Sequence, residues 1–138
     1  MNKLEYIPGD LIKSDRVPNS IWKIEEVLQD KYWEALYRCV DARNDIYCTN
    51  LYKHRIVPIP ITKEILEKNG WFEDSFLDNY KSFYKNDRNY PSLHGHQTKD
   101  GYIYDVDFGE ETIITNIKYV HQLQHLLFGL GLSMNLKV

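Results

Sequence analysis

What this chain has little of narrows the field first. Its 138 residues include two cysteines, two methionines, five prolines and seven glycines. Two cysteines cannot staple a disulfide scaffold, so burial of apolar surface has to hold the fold. No charge sign dominates: 17 Lys and Arg stand against 20 Asp and Glu, a net charge of −3. Residues 1–61 carry nine of each sign and residues 62–138 carry eight against eleven, so neither half is a basic module. A broad electrostatic grip on nucleic acid is thereby disfavoured. No apolar run approaches transmembrane length, and "MNKLEYIPGDLIKS" has no signal-peptide core. A glycine-rich phosphate loop, a serine nucleophile elbow and a Cys–His couple are missing too. The expectation is a cytoplasmic, non-catalytic protein with no cofactor, no bound metal and no membrane partner.

Aromatics are what the chain does have: 11 Tyr, 5 Phe and 3 Trp. Many tyrosines beside few methionines point to sheet faces rather than a loose helical bundle. "YIPGDLIKS" predicts a Pro-Gly turn and a strand over residues 10–14. "IWKIEEVLQ" predicts a second strand with a bulge at Glu25 and Glu26. "YWEALYRCVD" and "IYCTNLY" complete a hairpin. A turn centred on Arg43 and Asn44 would set Cys39 opposite Cys48, either bridged or as two small buried thiols. Pro58 and Pro60 confine "IVPIPIT" to a sheet edge or linker.

After this linker, Thr62 is the expected cap of a short helix that ends at Gly70. Phe72, Phe76, Tyr80 and Phe83/Tyr84 recur at helical spacing, with Asp74 as a cap. "NDRNYPSLHGHQTKDG" reads as loop. "YIYDVDF" and "TIITNI" read as a strand pair joined through "GEE", and a last helix spans residues 116 to 129 or 131. "SMNLKV" could then return as an edge strand. The fold class is α+β. A small SH3-like β-barrel or curled sheet over residues 1–57 precedes an α/β portion over residues 58–138 with a closing amphipathic helix. The two portions form either separate domains or one compact unit.

That closing helix, "YVHQLQHLLFGLGL", carries two histidines four apart. On a helical wheel Tyr119, Val120, Leu123, Leu126, Leu127 and Leu130 share one arc, the expected core face. His121 and His125 point away from it, toward solvent or a second partner. An i, i+4 pair can share a zinc ion, but a zincin needs a carboxylate base where Gln122 stands. His94 and His96, in "HGH", would have to meet this pair to complete a nitrogen-rich site. Coincidental surface histidines are the preferred reading.

The same helix carries a resemblance. "VPIPITKEILEKNGW" followed by "IKYVHQLQHLLFGLGLSMNLKV" resembles a group of small uncharacterised proteins of gut bacteria and their phages. In that group a short β-domain leads into a "PIPLTEEIL-x-x-NGF"-like segment and a closing "KYVHQLQNLYFALTGEEL"-like helix. The matching positions are residues 58–70 and 118–130. The resemblance implies a prophage or mobile-element origin and a shared fold, and brings no activity with it. His125 stands where the pattern has Asn, and Gly129, Gly131 and Leu132 replace a more polar turn.

Three candidate recognition surfaces follow. Residues 79–99 interleave Tyr80, Tyr84 and Tyr90 with Lys81, Lys85 and Arg88, an arrangement that stacks bases and tracks phosphates in weak single-strand binders. The preferred alternative makes the aromatics core and the lysines a solvated face. A protein partner, the favoured one, would instead use an exposed apolar patch around Phe128 and Leu132. Trp22, Tyr32, Trp33 and Tyr52 could serve an SH3-like unit in binding an extended peptide. Asp105 and Asp107 share a strand face that more often serves as the polar side of a strand than as a cation site.

Overall fold

A computed structural model describes residues 6–17, 19–28, 34–44, 46–74 and 80–138. Among the described residues the fold is α+β: two five-stranded antiparallel sheets and two short α-helices. It divides into two compact units, residues 1–59 and 60–138.

The first unit contains β1 (Leu11–Ser14), β2 (Trp22–Leu28), β3 (Leu36–Asp41), β4 (Cys48–Tyr52) and β5 (Ile56–Pro58), with a 3-10 turn at Lys53–Arg55 before the last. The sheet order is β4-β3-β2-β1-β5, so the proline-bearing strand lies on an edge, where a missing N–H costs no ladder bond. Asp10, fully buried, fixes the entry turn by accepting from the Ile7 N–H at 2.8 Å. The expected bulge is present: Ile24 faces Cys39 and Glu26 faces Arg38, so the register slips at Glu25 and both glutamates stay exposed. Tyr6, Ile12, Trp22, Ile24, Tyr37, Cys39, Leu51 and Ile56 form the core.

The β3–β4 hairpin corrects the expected register by one residue. Val40 faces Cys48 and Cys39 faces Thr49, because the Asp41 side chain organises a longer loop by accepting from Arg43 N at 2.8 Å. A one-residue slip sends neighbouring side chains to opposite faces, so Cys39 is buried, Cys48 is exposed and both thiols are free.

The second unit contains α1 (Lys63–Lys68), β6 (Trp71–Glu73), β7 (Tyr80–Lys85), β8 (Ser92–Thr98), β9 (Gly101–Phe108), β10 (Glu111–Ile117) and α2 (Val120–Gly129). The strands run as one meander, β10-β9-β8-β7-β6. Thr62 caps α1 as expected, its hydroxyl accepting from Ile65 N at 3.2 Å. Among the described residues the aromatic segment forms strands in place of the expected helix: Trp71 faces Lys85 and Phe72 faces Tyr84 in an antiparallel pair, and Phe76 lies outside the described residues. Nor is "SLHGHQT" a loop; it is the central strand β8. Trp71, Phe83, Leu93, Tyr104 and Val106 share the buried face, and the Trp71 indole donates to the Pro91 carbonyl at 3.0 Å.

Helix α2 starts four residues later than expected, and its buried face is displaced on the wheel. Val120, His121, Leu123, Gln124 and Leu127 are buried, while Leu126 is half-buried and Leu130 exposed. The glutamines explain the displacement. Gln122 reaches back to accept from Lys118 N and Tyr119 N at 2.7 and 2.9 Å, satisfying N–H groups where the chain enters the helix. Gln124 donates to the Met134 carbonyl at 2.9 Å, drawing the polar side of the wheel inward. Residues 133–138 form no strand. Asn69 holds them instead, donating to the Lys137 carbonyl and accepting its N–H, each at 2.8 Å.

Candidate interaction surface

Strand β7 decides what the tyrosine–lysine segment can do. Alternation along a strand sends successive side chains to opposite faces. Tyr80 faces His96, Ser82 faces His94 and Tyr84 faces Phe72 on one side of the sheet. Lys81, opposite Gly95, and Lys85, opposite Trp71, belong to the other side with the core. The two lysines are also engaged. Lys81 pairs with Glu73 at 3.3 Å. The Lys85 ammonium lies 3.7 Å from the Tyr90 ring centroid and 4.6 Å from that of Trp71, and burial holds its pKa below the usual lysine value. Tyr90 packs edge-on against Trp71, and Arg88 is exposed in the β7–β8 turn. The six residues proposed from sequence therefore do not form one surface: Tyr80 and Tyr84 are separated from Lys81, Lys85 and Tyr90.

On the side that carries Tyr80 and Tyr84, aromatic rings line up across three strands. Phe72 and Tyr84 lie 6.4 Å apart between centroids, Tyr84 and His94 5.7 Å, and His94 and Tyr80 6.3 Å. Phe72, Tyr80 and Tyr84 are 43%, 42% and 37% exposed. His94, at the centre, is pinned on both nitrogens: Nδ1 to Ser82 Oγ at 2.9 Å, Nε2 to Ser92 Oγ at 3.0 Å and to Asp107 at 3.2 Å. Asp107 in turn accepts from the Thr112 hydroxyl at 2.7 Å. Asp105 faces His94 and accepts from Asn116 N, while Asp74 extends the β6 register opposite Ser82.

Serine, histidine and aspartate in one chain of contacts invite a catalytic reading, but the roles do not fit. Ser82 is buried against the sheet and Ser92 shares Nε2 with the aspartate, so no hydroxyl is presented to a substrate. The arrangement instead holds an imidazole among aromatic rings, near-parallel to Tyr80 at 24° and edge-on to Tyr84 at 80°. Sequence reasoning found His94 as half of a metal pair and missed this role, because reading it as loop hid the strand pairing. Alternation of Tyr80, Ser82 and Tyr84 was the available signal.

The closing helix contributes differently from expectation. His121 is buried, stacked on Tyr119 at 5.9 Å and edge-on to His125 at 5.6 Å. That corrects its assignment to an outward face. Among the described residues, no three His, Cys, Asp or Glu side chains gather as a metal site. Phe128 is 63% exposed, whereas Leu132 is half-buried. The Leu132 N–H bonds the Leu127 carbonyl at 2.9 Å and the Gly131 N–H the Phe128 carbonyl at 3.0 Å, with Gly131 at φ +76°. This is a Schellman end, so Leu132 terminates the helix beside the exposed Phe128.

In the first unit, Trp22 and Tyr52 line a cavity of about 290 Å³ together with Arg16 and Arg55. Tyr32 and Trp33 lie outside the described residues. No helix is long and apolar enough to cross a membrane among the described residues. Compared with protein-family models, curated proteins and solved structures, the chain finds no significant match.

Proposed function

We propose that the protein is a non-catalytic interaction protein of prophage or mobile-element origin, working in the host cytoplasm. Its recognition surface is the aromatic face of the second sheet. The separation of Tyr80 and Tyr84 from Lys81 and Lys85 carries this reading, because a base-stacking surface needs its cations beside its rings. The charges that do share the aromatic face are carboxylates: Asp74, Asp105 and Asp107. Exposed tyrosine rings and carboxylates together suit a protein segment presenting Lys or Arg among apolar side chains, through cation–π contacts and ion pairs. The origin rests on the resemblance of the segment at residues 58–70 and of the closing helix.

The first unit is SH3-like in this reading. Its fifth strand returns beside the first, and a bulged second strand lets a five-stranded sheet coil on itself. Trp22 and Tyr52 give that unit its own place for an extended peptide.

Capture from host lysate at low and high salt tests the proposal. A protein retained at both, and lost from a Tyr80→Ser/Tyr84→Ser variant that still folds, is the expected result. Retention of nucleic acid alone, released by salt and independent of those tyrosines, would overturn it.

A further inference from the structure

The opposite side of the second sheet holds a cavity of about 440 Å³, within the range of small-molecule sites. Two tyrosines of its lining, Tyr102 and Tyr104, are placed by a missing side chain behind them. A Cβ on Gly95 would lie 2.6 Å from Tyr104 Cε1 and 3.3 Å from Tyr102 Cδ1, so both rings lie down over bare backbone. The two rings lie 6.3 Å apart between centroids and 30° from parallel, with Phe83 beside them in the lining.

The polar wall is cationic. Glu73 holds Lys63 through one oxygen at 3.1 Å and Lys81 through the other at 3.3 Å. Each ammonium has three donors, and one carboxylate group cannot occupy them all. Glu73 therefore fixes two lysines at the cavity while leaving donors for another anion. Lys118 is a third lysine in the lining, and Asp100 is its second carboxylate. Three lysines against two carboxylates give the lining itself +1, with Glu64 and Glu67 acting on Lys63 from outside it, whereas residues 62–138 as a whole sum to eight minus eleven, or −3. A concave, partly apolar wall concentrates that field on whatever enters.

A ligand matched to this place is small, carries an aromatic ring and bears an acidic group. We propose that the cavity binds a nucleoside monophosphate. Its base lies against the half-buried Tyr102, which the buried Tyr104 backs, its phosphate among Lys63, Lys81 and Lys118, and its sugar hydroxyls toward the Asp100 carboxylate. The cavity lies on the face opposite Tyr80 and Tyr84, so this site is independent of the proposed protein-binding surface.

Calorimetric titration of the full chain with AMP, GMP, CMP and UMP tests the proposal, with adenosine and inorganic phosphate as controls. At least one mononucleotide should bind clearly more tightly than both controls. Lys81→Gln and Tyr102→Ala should each weaken it about tenfold, the loss of one charge-assisted hydrogen bond or one stacking contact. Lys118→Gln leaves the Glu73 pairs intact and repeats the test should either variant unfold. Failure of all four nucleotides to bind, binding no tighter than phosphate or adenosine, or unchanged affinity in the folded variants would overturn it.

Discussion

At the scale of single residues, Gly95 is where a methyl group has the largest consequence. Alanine there would press on Tyr104 and Tyr102 in the middle of a sheet, an overpacking that costs about 1–3 kcal/mol. Gly129 makes the contrast: a Cβ there meets nothing within 4 Å, so Gly129→Ala should stabilise by roughly 0.5 kcal/mol through the unfolded chain. Urea denaturation of the two variants measures both signs. The buried groups also set a pH dependence. Burial pushes the Cys39 thiol from 9.0 up to about 12 and the Tyr104 phenol from 10.0 up to about 12. Each group holds its proton more tightly in the folded than in the unfolded chain, so stability falls as pH rises from about 9 toward about 12. Cys39→Ala should flatten the lower part of that slope. Alkylation at pH 8, read by mass spectrometry, should label Cys48 and spare Cys39 until the chain unfolds.

At the scale of elements, side-chain amides do work that strand pairing does elsewhere. Asn69 ends α1, bonding the Ile65 carbonyl at 2.7 Å, and also clasps both backbone groups of Lys137. Asn69→Ala should cost about 1–2 kcal/mol and raise hydrogen exchange at the Lys137 amide, while the amides of β8 keep their protection. Such devices explain which elements could be read in advance. Strands β1 to β5 were legible because apolar residues, turn residues and edge prolines agreed with one another. The aromatic segment was not, because the spacing of Tyr80 and Tyr84, four residues, is compatible with periods of both 2 and 3.6, and Phe83 fits the helical one. A strand with aromatics on both faces hides its alternation. A glycine in mid-strand made β8 look like loop, although its role is to receive two rings. The α2 wheel went wrong on Gln124, a polar side chain drawn inside by the carbonyl of Met134. The Cys39–Cys48 pairing failed by a single residue of register, set by the Asp41 loop rather than by any property of the cysteines.

For the whole molecule, the fold rearranged the candidate residues that the sequence offered. The candidate residues of the segment 79–99 were recognisable as aromatics and cations, but not as members of opposite faces. Once the sheet is formed, Tyr80 and Tyr84 stand with His94 and carboxylates, while Lys81 joins Glu73 and Lys85 joins Trp71 and Tyr90. Under the proposed function the tyrosine face, and not the lysines, would bind a protein partner. The most direct measurement is the affinity of the captured partner protein for two folded double variants, Tyr80→Ser/Tyr84→Ser and Lys81→Gln/Lys85→Gln. A loss of about tenfold or more is expected for the tyrosine pair, as for hot-spot aromatics, and little change for the lysine pair. Loss confined to the lysine pair, with single-stranded nucleic acid as the species bound, would contradict the proposed function.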